Sequence, residues 1–305
     1  MPADRSHIAT EQRNPRSMRL HTLSTRECVD LLRREDGAVL AALEAAAPAL
    51  AGFVEALIPR FDSGGRLIYL GAGTSGRLGV LDASEAPPTF QLEQGRIVGL
   101  IAGGDGALRR SSEGLEDMAD GSRPDLEALR LTDDDTVLGI AAGATTPFVR
   151  GAFPIAKSLA PGCMTAFLTC SPCAAPPHTD HLIVLPTGPE VLTGSTRLKA
   201  GTATKLALNT ISTTLMVRTG RVYENLMVDL RASNDKLRDR AARIIGTLTG
   251  LARDGALELL DRAGGRVKTA VVMSKLGLDR AGAESRLAAC GDDLAAALGE
   301  KAPGV

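Results

Sequence analysis

Tryptophan is absent from this 305-residue chain, and it has only two tyrosines and six phenylalanines. So few rings, with a formal net charge of −1, remove the stacking platform and the basic footprint of a nucleic-acid binder. Histidine is also scarce. None of the four (His7, His21, His178, His181) lies beside a serine or cysteine in a nucleophile motif, so His-dependent hydrolysis has no support. The five cysteines are odd in number and scattered, which is no disulfide framework. Cys170 and Cys173 have the spacing of half a zinc site, but no second such pair exists; they read as reduced loop thiols, and no metal is expected. Apolar runs never reach the roughly 18 residues of a membrane span, and the N-terminus lacks the charged-then-apolar order of a signal peptide. The expectation is a cytoplasmic protein with no membrane or nucleic-acid partner.

What is present is concentrated in one stretch. Leu67 to Leu70 is an apolar run ending in Gly71-Ala72-Gly73-Thr74-Ser75-Gly76. A strand entering such a loop offers backbone N–H groups and hydroxyls to an oxyanion, here most simply a phosphate. Glu85 follows shortly, with Ala86, Pro87, Pro88 and Phe90 after it. Enclosure by these residues would desolvate its carboxyl and raise its pKa toward that of a general acid. A phosphate cradle beside a poised acid implies an enzyme acting on a phosphorylated small molecule.

Short apolar runs alternate with helical patterns through the middle of the chain, and 44% hydrophobic content is ample for a core. Strands are predicted at 66–70, 97–102, 136–141, 165–170 and 181–185, giving an α/β fold with a doubly wound five-stranded parallel sheet sandwiched by helices. Helices are predicted at 36–61, 199–217, 236–251, 256–263 and 280–297. The domains follow as an N-terminal helical arm and helix (1–54), a sheet domain (55–220) and a small helical C-terminal module (221–305). Ligands in such sheets bind at the carboxyl ends of strands, so the loops from Gly71, Gly103, Ala142 and Pro186 should converge on one crevice.

Three constellations fall on those loops. Gly71 to Gly76 overlaps the dinucleotide fingerprint, which also needs an acidic residue about 20 positions on, at the end of the second strand, to hold a ribose; here position 91 is Gln91 and that strand begins only near Ile97, and Thr74-Ser75 suits a phosphate monoester better. Asp105 and the segment Ser112 to Asp117 could be a solvated acidic helix face with an Arg109–Glu113 pair; their place after a strand would instead let a carboxylate face Glu85. Glu190, Ser195, Thr196, Arg197 and Lys199 open the last predicted helix of the sheet domain. They make either an anion-binding end or a well-capped helix with solvated cations.

Taken together, these words resemble the N-acetylmuramic acid 6-phosphate etherases, a family of the sugar isomerase (SIS) group related to the glucokinase regulatory proteins. The resemblance runs in order through Thr10-Glu11, Asn14, Leu23-Ser24-Thr25, Gly71 to Arg77, Leu81 to Glu85 with Pro87-Pro88-Thr89, Glu113-Gly114 with Glu116-Asp117, Gly188 to Thr202, and Asn225 to Asp229. It implies an SIS fold, a homodimer and a lyase that removes D-lactate from C3 of the sugar and adds water. Neither metal nor cofactor is implied. By this resemblance Glu85 is the general acid and Glu116 the base at C2, with the two labels exchangeable. Substrate contacts are expected from Gly73, Thr74, Ser75, Thr145, Thr146, Glu190, Ser195, Arg197 and Lys199.

The chain departs from the family pattern at two places. A Ser-Gly-Arg-Thr-Pro type loop is replaced by Gly143-Ala144-Thr145-Thr146-Pro147, which leaves Thr145 and Thr146 as the hydroxyl donors, and His21 stands where an acidic residue is usual. Two other readings compete. Glu190 with Ser195-Thr196 resembles the base-bearing segment of SIS aldose–ketose isomerases, and a non-catalytic sugar-phosphate regulator would share the cradle.

Overall fold

The computed structural model describes residues 5–110, 114–230 and 234–300. The described residues form two compact units, one from the stretches up to 85 and 94–212, the other from 86–93 and 213 onward.

In the first unit the arm makes short 3-10 turns at Ala9–Glu11, Pro15–Ser17 and Leu20–Thr22. Helix α1 (Thr25–Glu35) follows, started by a capping box in which Ser24 and Glu27 satisfy each other's backbone N–H groups. Helix α2 (Gly37–Asp62) buries Val39, Leu50, Phe53, Leu57 and Phe61. Thr25–Asp62 is long and apolar enough by composition to cross a membrane; α2 lays its buried face on the sheet, where the Phe53 ring meets that of His181 edge-on at 5.8 Å.

The sheet contains β1 (Leu67–Gly71), β2 (Ile97–Ile101), β3 (Thr136–Ile140), β4 (Met164–Thr169) and β5 (His181–Val184), all parallel, in the order β2-β1-β3-β4-β5. Each predicted strand is present within a residue or so of its expected bounds. β1, β3 and β4 are buried along their whole length, which is why they read as unbroken apolar runs rather than alternating ones. Between them run α3 (Gly73–Phe90), α4 (Gly106–Arg109), α5 (Arg123–Leu129) and α6 (Pro147–Leu159), and α7 (Lys199–Arg218) follows β5. One face of the sheet, with Ile68, Leu70 and Val137, packs on α5 and α6 through Leu126, Phe148 and Phe153. Alternation sends Tyr69 to the other face. There α3 crosses so closely that a Cβ on Gly79 would lie 2.9 Å from the Tyr69 Cβ.

The second unit has a two-stranded antiparallel ribbon, β6 (Val222–Tyr223) and β7 (Leu226–Met227), and helices α8 (Asp235–Thr249), α9 (Arg253–Arg262), α10 (Val267–Leu276), α11 (Arg280–Ala289) and α12 (Leu294–Ala297). Its own core includes Ile245, Leu260, Val271 and Leu287. Two expectations are corrected here. α10 was not foreseen because Val267 to Val272 is buried all round, which erases the 3.6-residue alternation. The single helix expected over 280–297 is broken by Gly291 and Asp292, whose φ of 65° and 60° leave the helical region.

Candidate active site

The switch in strand order lies between β1 and β3, so their carboxyl ends open the crevice in which ligands of doubly wound sheets are held. Ala72 alone separates β1 from α3. So tight a turn requires glycine: a Cβ on Gly76 would stand 2.7 Å from the Gly71 carbonyl oxygen and 2.6 Å from Ile101 Cγ1. Gly73, Thr74 and Ser75 thereby become the first turn of α3, where backbone N–H groups lack helical partners and the helix dipole favours an anion. Gly73 is exposed, Thr74 half-buried and Ser75 buried.

Across the switch, the loop after β3 carries Thr145 and Thr146, both half-buried, ahead of α6. Ala144 adopts φ 63° there, a left-handed conformation costing an L-residue about 1–2 kcal/mol. It occupies the place of the family pattern's glycine. The arm closes over this rim: Gly194 N–H donates to the Thr10 carbonyl at 3.2 Å, and Ser171 Oγ to Thr10 Oγ1 at 3.5 Å. Gly143 lies beside Thr10 and Ile8, where a Cβ would make ordinary contact with Thr10 Oγ1 at 3.6 Å and Ile8 Cγ2 at 3.7 Å.

The start of α7 is satisfied from within. Buried Glu190 accepts the backbone N–H groups of Lys199 at 3.1 Å and Ala200 at 2.9 Å, and burial raises its pKa. Lys199 is 1% exposed and its Nζ donates to Glu35 Oε2 at 3.0 Å. The same carboxylate accepts Asn14 Nδ2 at 2.7 Å and the Arg16 guanidinium. Lys199 is thus not the solvated cation that its sequence context allows. Ser195 is half-buried, and Arg197 is exposed.

The two glutamates occupy different flanks. Glu85 is exposed, contrary to the expected enclosure; Ala86, Pro87 and Phe90 are buried, while Pro88 is exposed. Successive helical side chains diverge by about 100°, so chain neighbours on α3 do not surround Glu85. Nor does it adjoin the cradle in space: it lies 11 residues beyond Thr74 on one helix, an axial rise of about 16 Å. Glu116 is exposed in the 3-10 turn Leu115–Asp117, which is held to α6 on the opposite face of the sheet. Gly151 permits that approach, since a Cβ there would fall 1.7 Å from the Ala119 carbonyl oxygen. Arg5 reaches Asp117 at 3.8 Å, so the arm and this turn share a rim. Ser112 and Glu113 lie outside the described residues.

Sequence reasoning missed a second constellation along α3 and α7. The helices run side by side, with Gly201 opposite Thr74 and Asn209 opposite Asp82. Asp82 is buried and accepts Tyr69 Oη at 2.9 Å, Asn209 Nδ2 at 2.8 Å and Ser212 Oγ at 3.2 Å. Beside it, Glu85 and Lys205 line a pocket of about 250 Å³ with Leu78, Leu81 and Leu208.

Comparison with known proteins bears on the whole chain. Residues 49–157 match the family described as glucokinase regulatory protein N-terminal SIS domain. The N-acetylmuramic acid 6-phosphate etherase of Synechococcus sp. (strain CC9605) is 53% identical over 90% of this chain and 87% of its own length. That of Gloeobacter violaceus is 51% identical over 97% and 96%, and that of Serratia proteamaculans 50% identical over 92% and 94%. At such identity over nearly the full length, the chain belongs to the N-acetylmuramic acid 6-phosphate etherase family.

Proposed function

We propose that this chain cleaves the D-lactyl ether of N-acetylmuramic acid 6-phosphate, giving N-acetylglucosamine 6-phosphate and D-lactate. The carrying observation is near-full-length similarity to etherases in a chain that has both Glu85 and Glu116. The phosphate rests on the first turn of α3, with Thr74 and Ser75, and on Thr145 and Thr146 across the switch. In the open-chain sugar the C1 aldehyde acidifies the C2 hydrogen, and Glu116 removes it. As the C3–O bond breaks, Glu85 protonates the departing lactate oxygen, which is a poor leaving group without that proton. Water then adds at C3 of the unsaturated intermediate. As the hydroxyl bonds to C3 the water's other proton passes to Glu85, and Glu116 returns the proton it holds to C2, so both carboxyls regain their starting states and no cofactor is consumed. A doubly charged sugar phosphate does not cross a bilayer unaided, which makes the cytoplasm the place of action.

Within one copy Glu85 and Glu116 flank opposite faces of the sheet, which favours a two-fold homodimer where the partner subunit's Glu85 completes each site. Release of D-lactate from the phosphorylated substrate tests the activity directly. Glu85→Gln and Glu116→Gln should each abolish it, and Glu116→Gln alone should also stop exchange of the C2 hydrogen with deuterated water. Co-expression of the two variants tests the shared site. Random pairing makes half the dimers mixed, each with one intact site, so about a quarter of wild-type activity returns. Absence of any recovery in verified mixed dimers places both glutamates of a site in one chain.

A further inference from the structure

We propose that the pocket between α3 and α7 receives the lactyl group, and that Lys205 is the residue that recognises its carboxylate. The inference rests on the etherase reading but uses residues that the reading leaves unassigned. Three leucines, Leu78, Leu81 and Leu208, give the pocket apolar walls, and its charged lining is Asp82, Glu85 and Lys205. Asp82 is taken up internally by Tyr69, Asn209 and Ser212. What remains is one carboxyl and one ammonium. Both are exposed, and among the described residues neither has a partner in an ion pair.

Those two groups and the leucines match the leaving group piece by piece. An ether oxygen needs a proton donor, a methyl needs an apolar wall, and an α-carboxylate needs a cation. Asn209, whose amide is oriented by Asp82, lines the same pocket. The sugar ring with its hydroxyls and acetamido group offers no anion for Lys205, and the 6-phosphate belongs at the α3 start. A Lys–carboxylate contact is a charge-assisted hydrogen bond, stronger than a neutral one. It also offsets the negative charge next to the oxygen that must accept electrons as C3–O breaks, so the same contact aids departure. Glu85 and Lys205 come from one chain, so the pairing holds whichever copy supplies the phosphate end.

The test compares two ligands that differ by the lactyl group, N-acetylmuramic acid 6-phosphate and N-acetylglucosamine 6-phosphate, by calorimetry. A Glu85→Gln background prevents turnover during the titration. Adding Lys205→Met should weaken the first ligand about ten- to a hundredfold and leave the second within about twofold, the range of one charged hydrogen bond. Lys205→Arg should restore most of the difference. Equal weakening of both ligands, or no weakening of either, overturns the assignment. Activity separates this from the broader reading. If the unaltered protein releases no D-lactate yet shows the Lys205-dependent preference, the etherase reading fails and the pocket stands. If it releases lactate and Lys205→Met binds both ligands normally, the pocket assignment fails alone.

Discussion

Glu35→Gln is the sharpest test of how the arm is held over the site. The Glu35 side chain is 3% exposed and accepts from Lys199, Asn14 and Arg16, joining the arm, α1 and the start of α7. Arg16 is the largest cause of a carboxyl pKa lowered from 4.5 to about 2; burial opposes it, and Lys199 and Asn14 assist. That drop corresponds to roughly 3 kcal/mol, and because Arg16 is 64% exposed and screened by solvent, about 2 kcal/mol is the better figure. A depressed folded pKa means stability present above the unfolded value and lost as pH falls from about 4.5 toward 2. Glutamine keeps an acceptor but removes the carboxylate paired with buried Lys199 Nζ, leaving it only the more indirect attraction of Glu190, so the variant should lose about 2–4 kcal/mol at pH 7. Urea denaturation of both proteins at pH 7 and pH 3 measures this, and the variant should show the smaller loss on acidification. Glu190 has its pKa raised and acts in the opposite sense, but it is common to both proteins and cancels. Faster tryptic cleavage at Arg13 and Arg16 should accompany the loss. Equal stability at pH 7, or equal acid slopes, refutes the argument.

Two more predictions concern the loops. Gly151→Ala should improve helix propensity yet displace the 115–121 segment, since its new methyl would sit 1.7 Å from the Ala119 carbonyl oxygen. C2 exchange should then fall at least about tenfold, a loss of about 1.4 kcal/mol in barrier terms, while binding of N-acetylglucosamine 6-phosphate persists; unchanged exchange would dissociate Glu116 from this contact. Restoring the family loop by Gly143→Ser with Thr145→Arg should lower the apparent substrate constant, because a Cβ at Gly143 meets Thr10 Oγ1 at an ordinary contact distance of 3.6 Å, without a clash, and the two side chains add donors to the loop. Adding Ala144→Gly removes a left-handed alanine at φ 63°. An unchanged or higher constant would mean that the phosphate is not held there.

The sheet was legible because strands buried on both faces write themselves as short apolar runs between glycines. The placement of Thr74 and Ser75 at a helix start was legible because a strand, a tight glycine turn and a helix start are contiguous in the chain. Glu85 shows the limit of that reasoning. Its apolar neighbours in sequence point away around the helix, and its working neighbour Lys205 is 120 positions distant, on another helix. Lys199 misled in the same way: its counter-charge is Glu35, 164 positions earlier, so local sequence presented an inward-facing cation as a solvated one. Pairings of that kind depend on which helices lie side by side, and no periodicity within either helix encodes it.

Glu190 gives the fold a resident anion. Its carboxylate already occupies the two backbone N–H groups that a phosphate would seek at the start of α7. The start of α3 has hydroxyls and glycines in the corresponding place, and among the described residues no carboxylate is shown accepting from its N–H groups. The two helices run side by side from the same end of the sheet, so their dipoles present two similar attractions to a dianion. Filling one permanently makes them unequal: on the proposed reading, a sugar phosphate arriving in the crevice finds the α3 start open and the α7 start taken, so its phosphate end is fixed before any side chain touches the sugar.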